Sequence, residues 1–202
     1  IRSSAQLVLD ERQPDAVKRE VAQYVIEETD RLTNRINHFL RFARQKPPDI
    51  QPVSPRNLLD AAVREWEALG KGEPITTQVQ VPDGVADLLV DADQIKEALV
   101  NLMINAREAM PHGGTLTLSA APAPGGVAPE AVDIRVVDTG AGISPDHLRQ
   151  IFDPFFTTKD YGTGLGLTNA KRLAENNNGQ LEIHSTEGRG TEVLLRLPAR
   201  AR

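Results

Sequence analysis

Four prolines fall within the eleven residues 45–55, "QKPPDIQPVSP", and no continuous helix crosses such a segment. The chain is therefore divided there. Residues 1–46 carry only helical patterning, residues 47–56 read as a semi-rigid linker, and residues 57–202 alternate between helical and extended patterns. Upstream, "IRSSAQLVL" reads as the last turns of one helix, and Pro14 with Asp15 opens a second. Val21, Val25, Leu32, Ile36, Phe39 and Ala43 recur at helical steps along that second helix. Two helices joined by a short loop form an antiparallel hairpin. A lone hairpin leaves an apolar face uncovered, so the expected completion is a homodimer whose two hairpins make a four-helix bundle. Packing of the hairpin on its own chain is the alternative.

Downstream, Ser54 and Pro55 are suited to cap and open a helix over "PRNLLDAAVREWEAL", with Trp66 expected in its core. "ITTQVQV" alternates as a strand does, and "ADLLVD" is a candidate second strand. A long helix is expected over residues 92–110, followed by strands in "GTLTLSA" and "AVDIRVVD". A helix near 164–176 and the strands "QLEIHS" and "TEVLLRL" close the chain. The pattern predicts an α/β or α+β fold, a mixed sheet covered by helices.

Composition narrows the function. With 23 basic and 28 acidic residues the 202-residue chain has a formal charge of −5, which gives no support for nucleic-acid or membrane-surface binding. Cysteine is absent, which excludes disulfides and thiolate metal sites and fits a reducing, cytoplasmic setting. No apolar run reaches the ~18–20 residues of a membrane span. The chain begins at Ile1 inside an expected helix, so a fragment of something longer is expected, with membrane anchoring of the parent left open.

The glycine run "YGTGLGLTNA" enters a helix, where backbone N–H groups favour anions. It is not a P-loop, because no lysine follows Gly166. Nor is it a dinucleotide fingerprint, because Asn169 stands at the third glycine position and no strand precedes it. In the 92–110 helix Ile95, Leu99, Leu102, Ala106 and Ala109 form an apolar face. Gln94, Glu97, Asn101, Asn105 and Glu108 form a polar one. Asparagine is a poor helix former, and two of them one turn apart point to a ligand such as a hard cation held through amide oxygen. A plain polar face is the alternative. In "VVDTGAGISP", Asp138 ends a strand and is placed to accept from an amino group such as that of adenine. Gly140 and Gly142 admit a base against the backbone, and Ile143 offers it an apolar surface. An ordinary Asp/Gly turn is the alternative. "TEGRGTEVLL" places Thr191 after two glycines, where alone it would be a hairpin turn.

Taken in order, "NLMINAREAM", "DTGAGI", "FDPFFTTK", "GTGLGL" and "GRGT" resemble, box by box, the ATP-binding domain of the sensor histidine kinases of two-component systems. The resemblance covers about residues 50–198, and the spelling is most similar to the nitrogen-regulator type. It implies a Bergerat-type α/β sandwich, preceded by part of a dimerisation and phosphoacceptor hairpin. It implies that Asn105 holds Mg²⁺ on the ATP phosphates with Asn101 helping, and that Asp138 recognises adenine with Thr191 close by through water. Residues 152–164 become a mobile ATP lid, with Lys159 reaching the phosphates. Gly162, Thr163, Gly164, Leu165, Gly166 and Leu167 become its hinge and landing site. Phe152, Phe155 and Phe156 become the residues packing the lid on the domain or on the hairpin. A receiver domain of a response regulator is the implied partner.

The chain also departs from the family. The acceptor motif, roughly H-E-x-R-N-P-L, is absent and is expected shortly before Ile1, so autophosphorylation is not expected. His38, His112, His147 and His184 read as structural or surface histidines. "NNNG" stands where "HGG" is usual. Glu108 replaces a basic residue, so Arg107 or Lys159 is expected to supply that charge. ATP-hydrolysing relatives carry a glutamate where Asn101 stands, and an amide is no general base, so phosphoryl transfer is favoured over hydrolysis. The remaining alternatives are a non-catalytic ATP-binding scaffold that docks a response regulator, and a serine kinase or ATPase of the same superfamily.

Overall fold

The structure, a computed structural model, describes residues 14–43, 47–69, 74–124, 131–159 and 162–200. The expected helix over residues 1–9 lies outside them, as do Asp160, Tyr161 and the side chains of Ile36, His38, Phe39 and Ala43. The chain divides into two compact units, one of residues Ile1–Gln45 with Thr157–Thr163, the other of Lys46–Phe156 with Gly164–Arg202.

In the first unit, helix α1 (Asp15–Ala43) follows Pro14, with an acidic residue in its first turn. Val21 and Val25 are half-buried, whereas Tyr24, Ile26 and Leu32 are exposed.

The second unit has two layers. A five-stranded sheet runs in the order β2-β4-β5-β7-β6, formed by Ile75–Gln80, Gly114–Pro122, Ala131–Asp138, Gly190–Pro198 and Gln180–Thr186. Only the β2–β4 pair is parallel, so the sheet is mixed as expected. Helices α2 (Pro55–Ala68), α3 (Ala92–Ala109) and α5 (Gly166–Asn176) contribute to one apolar core with the sheet. Alternation decides which strand residues enter it: Leu116, Leu118, Val132, Ile134, Val136, Leu181, Val193, Leu195 and Leu197 are buried there. A short helix, α4 (Pro145–Leu148), was not expected; Ser144 caps it and Pro145 opens it.

One expectation changes. The linker is not merely a spacer: β1 (Gln51–Val53) pairs antiparallel with β3 (Leu88–Val90) in a separate two-stranded sheet. Pro52 is tolerated because a strand in so small a sheet has a free edge. Consequently "ADLLVD" forms a strand outside the main sheet. On the outer face of that sheet, Asp133 stays buried because Arg196 grips it with Nε–Oδ1 and Nη2–Oδ2 contacts of 2.8 and 2.9 Å.

Candidate nucleotide site

Helix α3 is the spine of the site. Asp91 caps it by accepting from the backbone N–H groups of Asp93 and Gln94, both at 3.0 Å. Its buried face is the expected one, Ile95, Leu99, Leu102 and Ala106, widened by Ala98, Val100 and Met103, while Ala109 is half-buried.

The polar face is not a solvated stripe. Helix α5 packs along its first two turns through polar pairs. Asn177 Nδ2 donates to Gln94 Oε1 at 3.2 Å, and Asn169 Nδ2 donates to Glu97 Oε1 at 3.0 Å. Asn177 is fully buried, also donating to Leu173 O and accepting from Asp91 N–H at 2.7 Å. Asp91 in turn accepts from Asp49 N–H at 3.0 Å, so one buried amide ties the former linker, the start of α3 and the end of α5. The rule that singled out Asn101 and Asn105, asparagine inside a helical pattern, applied equally to Asn169 and was missed there.

Beyond those pairs the polar face opens. Asn101 and Asn105 are half-buried, and their side chains make no hydrogen bond with any described residue. The Asn105 amide lies beside the first residue of α5: a Cβ on Gly166 would sit 3.8 Å from its Nδ2 and 3.9 Å from its Oδ1. Leu165 precedes α5 and gives it no side-chain cap.

One turn past Asn105, α3 meets the turn that follows β5. Ala141 N–H donates to Ala109 O at 3.0 Å, and a Cβ on Gly140 would press on that same residue. Gly142 is also required: its φ is +68°, and a Cβ there would collide with the Thr186 carbonyl. Asp138, only 7% exposed, ends β5 opposite Thr191 of β7. Its Oδ1 accepts from Gly140 N–H at 2.8 Å and Thr191 N–H at 3.3 Å, while its Oδ2 accepts from no described residue. Burial pushes the Asp138 carboxyl up, against the Gly140 and Thr191 N–H groups, which favour the anion. Ile143 is held by its N–H donating to Ser185 Oγ at 2.8 Å. An open cleft of about 470 Å³ runs past Asp138, Thr191, Ser185, Ile183, Leu148 and Arg189. Neither Asn101 nor Asn105 lines it.

The three phenylalanines separate. Phe152 packs on the core with Lys171 Nζ 4.5 Å from its ring centroid, and Phe156 meets the His147 ring at 5.8 Å. Phe155 is 63% exposed at φ +70°, and its N–H donates to Gly164 O at 3.1 Å. Gly162, Thr163 and Lys159 belong to the first compact unit, where Lys159 N–H donates to Thr157 Oγ1 at 3.1 Å. Leu165 is buried and Leu167 packs against the core, so their side chains are structural.

Arg107 is not available for the role considered for it. Its guanidinium lies 4.2 Å from the Trp66 ring centroid and donates to Trp66 O at 2.9 Å, which fixes it on α2. Among the described residues, no group of three or more His, Cys, Asp or Glu is arranged to hold a metal.

A two-layer sandwich with a carboxylate at a strand end and paired helix asparagines defines a nucleotide-binding domain of Bergerat type. Residues 90–201 match the model of the histidine kinase-, DNA gyrase B- and HSP90-like ATPases, and the chain belongs to that family. It is 31% identical to the sensor histidine kinase ZraS of Salmonella typhi, over 91% of this chain and 38% of that protein. It is 29% identical to the sensory histidine kinase/phosphatase NtrB of Rhodobacter capsulatus, over 89% of this chain and 52% of that protein. Full-length ShkA in complex with AMPPNP superposes with a TM-score of 0.75 at 25% identity, covering 98% of this chain and 43% of that one. ThkA in complex with response regulator TrrA shares the fold, with a TM-score of 0.73 at 18% identity over 97% of this chain and 55% of that one. The chain thus carries the catalytic domain of a two-component sensor histidine kinase, and it spans 38% to 52% of the length of these two curated relatives.

Proposed function

We infer that this chain binds Mg·ATP and transfers its γ-phosphoryl group to a histidine on a dimerisation hairpin, from which an aspartate of a receiver domain takes it. The observation that carries this reading is the pair Asn101 and Asn105: two half-buried amides one turn apart with no hydrogen-bond partner among described residues. Neither amide is spent on a protein partner, and both stay accessible, so they are available to a ligand that enters beside α5. Asn105 suits a hard cation: its amide oxygen is unclaimed by any described residue, and the described residues hold no carboxylate cluster, which leaves the remaining ligands to phosphate and water. Mg²⁺, when bound, neutralises charge on the phosphates. Asn101 assists Asn105 and, lacking basicity, does not activate water. Asp138 Oδ2 accepts from the adenine amino group, with Thr191 nearby, and Gly140, Gly142 and Ile143 floor the base. Gly164, Leu165, Gly166 and Leu167 supply backbone to the phosphates. Phe152 anchors the lid, and Phe155 and Phe156 accompany its movement.

The partners follow from α1. Tyr24, Ile26 and Leu32, 52%, 56% and 39% exposed, are large apolar side chains on the helix expected to dimerise. ThkA, which shares the fold, is described in complex with a response regulator. No helix among the described residues is long and apolar enough to cross a membrane, and a cytoplasmic position is proposed for this part of the protein.

The test is incubation with γ-labelled ATP, alone and with a separately made hairpin carrying the acceptor histidine. Label is expected only on the supplied hairpin. Labelling of this chain at one of its own histidines overturns the reading. Nucleotide binding without transfer to the hairpin replaces it with the scaffold alternative.

A further inference from the structure

Strand parity turns Leu181, Ile183 and Ser185 of β6 toward the helical layer, and Ser185 is the polar member of that row. It lies directly opposite Thr191 on β7. Its hydroxyl makes three contacts: it donates to Gly190 O at 2.9 Å, accepts from Ile143 N–H at 2.8 Å, and lies 2.9 Å from Thr191 Oγ1. A serine hydroxyl has one proton and two lone pairs. A carbonyl can only accept, so the Ser185 proton goes to Gly190 O. One lone pair is taken by Ile143 N–H. All three contacts are then satisfied in one way only, with the Thr191 hydroxyl donating its proton to Ser185.

This proton placement has a consequence at the base end. Thr191 Oγ1 can offer only lone pairs to a ligand. Asp138, with Oδ1 engaged by two backbone N–H groups, offers Oδ2, also an acceptor. We propose that Ser185 is a specificity-determining positioning residue: by fixing the Thr191 proton it makes the base end acceptor-only, which selects a purine with a 6-amino group over one with a 6-oxo group. A 6-oxo purine would set its own acceptor against two others, and a mispaired buried polar group is strongly rejected. Without the Ser185 hydroxyl the Thr191 proton is free to turn toward the base. The inference rests on the reading of this cleft as a nucleotide site.

The experiment titrates the chain with Mg·ADP and Mg·IDP, which differ at the 6-position, and compares wild type with Ser185→Ala and Thr191→Val. Wild type is expected to prefer ADP, and Ser185→Ala to narrow the ADP-to-IDP affinity ratio by about tenfold, the equivalent of one hydrogen bond. A merely structural serine would weaken both nucleotides alike, and an unchanged ratio overturns the proposal. Should Ser185→Ala unfold, Thr191→Val, which removes the acceptor itself, must narrow the ratio; if it does not, the proposal is likewise overturned. Wild-type protein that binds ADP while the variants keep its ratio sinks this inference alone. Wild-type protein that binds neither nucleotide sinks the site reading and the inference with it.

Discussion

The two ends of the site are built in opposite ways. At the proposed base end nearly every polar group is already engaged: Asp138 Oδ1 by two backbone N–H groups, Ser185 by three partners, Ala141 by Ala109, and Gly188 N–H by Ala141 O at 2.7 Å. At the proposed phosphate end Asn101 and Asn105 engage no described residue, and α5 starts without a side-chain cap. Folding therefore engages the polar groups of one end and leaves the two amides of the other without a protein partner among the described residues. On the proposed reading, a pre-organised base end gives affinity and selectivity without further ordering, while unclaimed amides meet the charged part of the ligand.

Substitutions at the two ends should thus separate stability from chemistry. The largest effect is expected for Asn105→Ala, which should reduce phosphoryl transfer to the supplied hairpin by about 100-fold or more, with a loss of stability within about 0.5 kcal/mol. Thermal denaturation checks the second half, and a collapse in melting temperature would make Asn105 structural and break the contrast.

Next is Asp138→Asn, which should weaken ATP by about 10–100-fold, the range for a hydrogen bond to a charged group. Burial raises the Asp138 pKa in the fold above that of the unfolded chain, so its ionised form costs stability. The stability this group contributes is therefore full below the unfolded pKa, where it is protonated, and is lost as pH rises through the folded one. At neutral pH the variant should accordingly be no less stable than wild type. Wild-type nucleotide affinity should fall on acidification from above the usual carboxylate range, and this pH dependence should be missing in Asp138→Asn.

Gly142→Ala, at the pre-built end, should cost about 2–3 kcal/mol in chemical denaturation, since it combines φ +68° with a collision on Thr186 O. Asn177→Ala should cost about 1–2 kcal/mol by leaving Asp91 N–H without its acceptor. The smallest effect is expected for Phe155→Gly, which should raise stability by about 1 kcal/mol through relief of φ +70° in an exposed residue. A loss instead would show that the ring packs on something that holds it.

Legibility varied with how local the cause was. The strand Ala131–Asp138 and the helix Ala92–Ala109 were readable because alternation and helical spacing are properties of neighbouring residues. The Ser54 cap and Pro55 start were readable for the same reason. The strand Gln51–Val53 was hidden, because its partner lies far along the chain and its proline argued for a spacer. Arg107 looked free to serve a phosphate until α2 placed Trp66 beneath it. Ser185 carried one weak signal, a polar residue at an inward position of a strand, which gains meaning only opposite Thr191.

By itself the sequence determined the kind of layers, the carboxylate at a strand end and the asparagines one turn apart, because each depends on spacing within a single element. It also settled that "GTGLGL" is neither a P-loop nor a dinucleotide turn, through the residues missing around it. Only the tertiary structure decided which polar groups are engaged. Gln94 and Glu97 are satisfied by α5 while Asn101 and Asn105 are not, a division made by where one helix crosses another. Hydrogen bonds between distant residues depend on that crossing, and no local pattern encodes it.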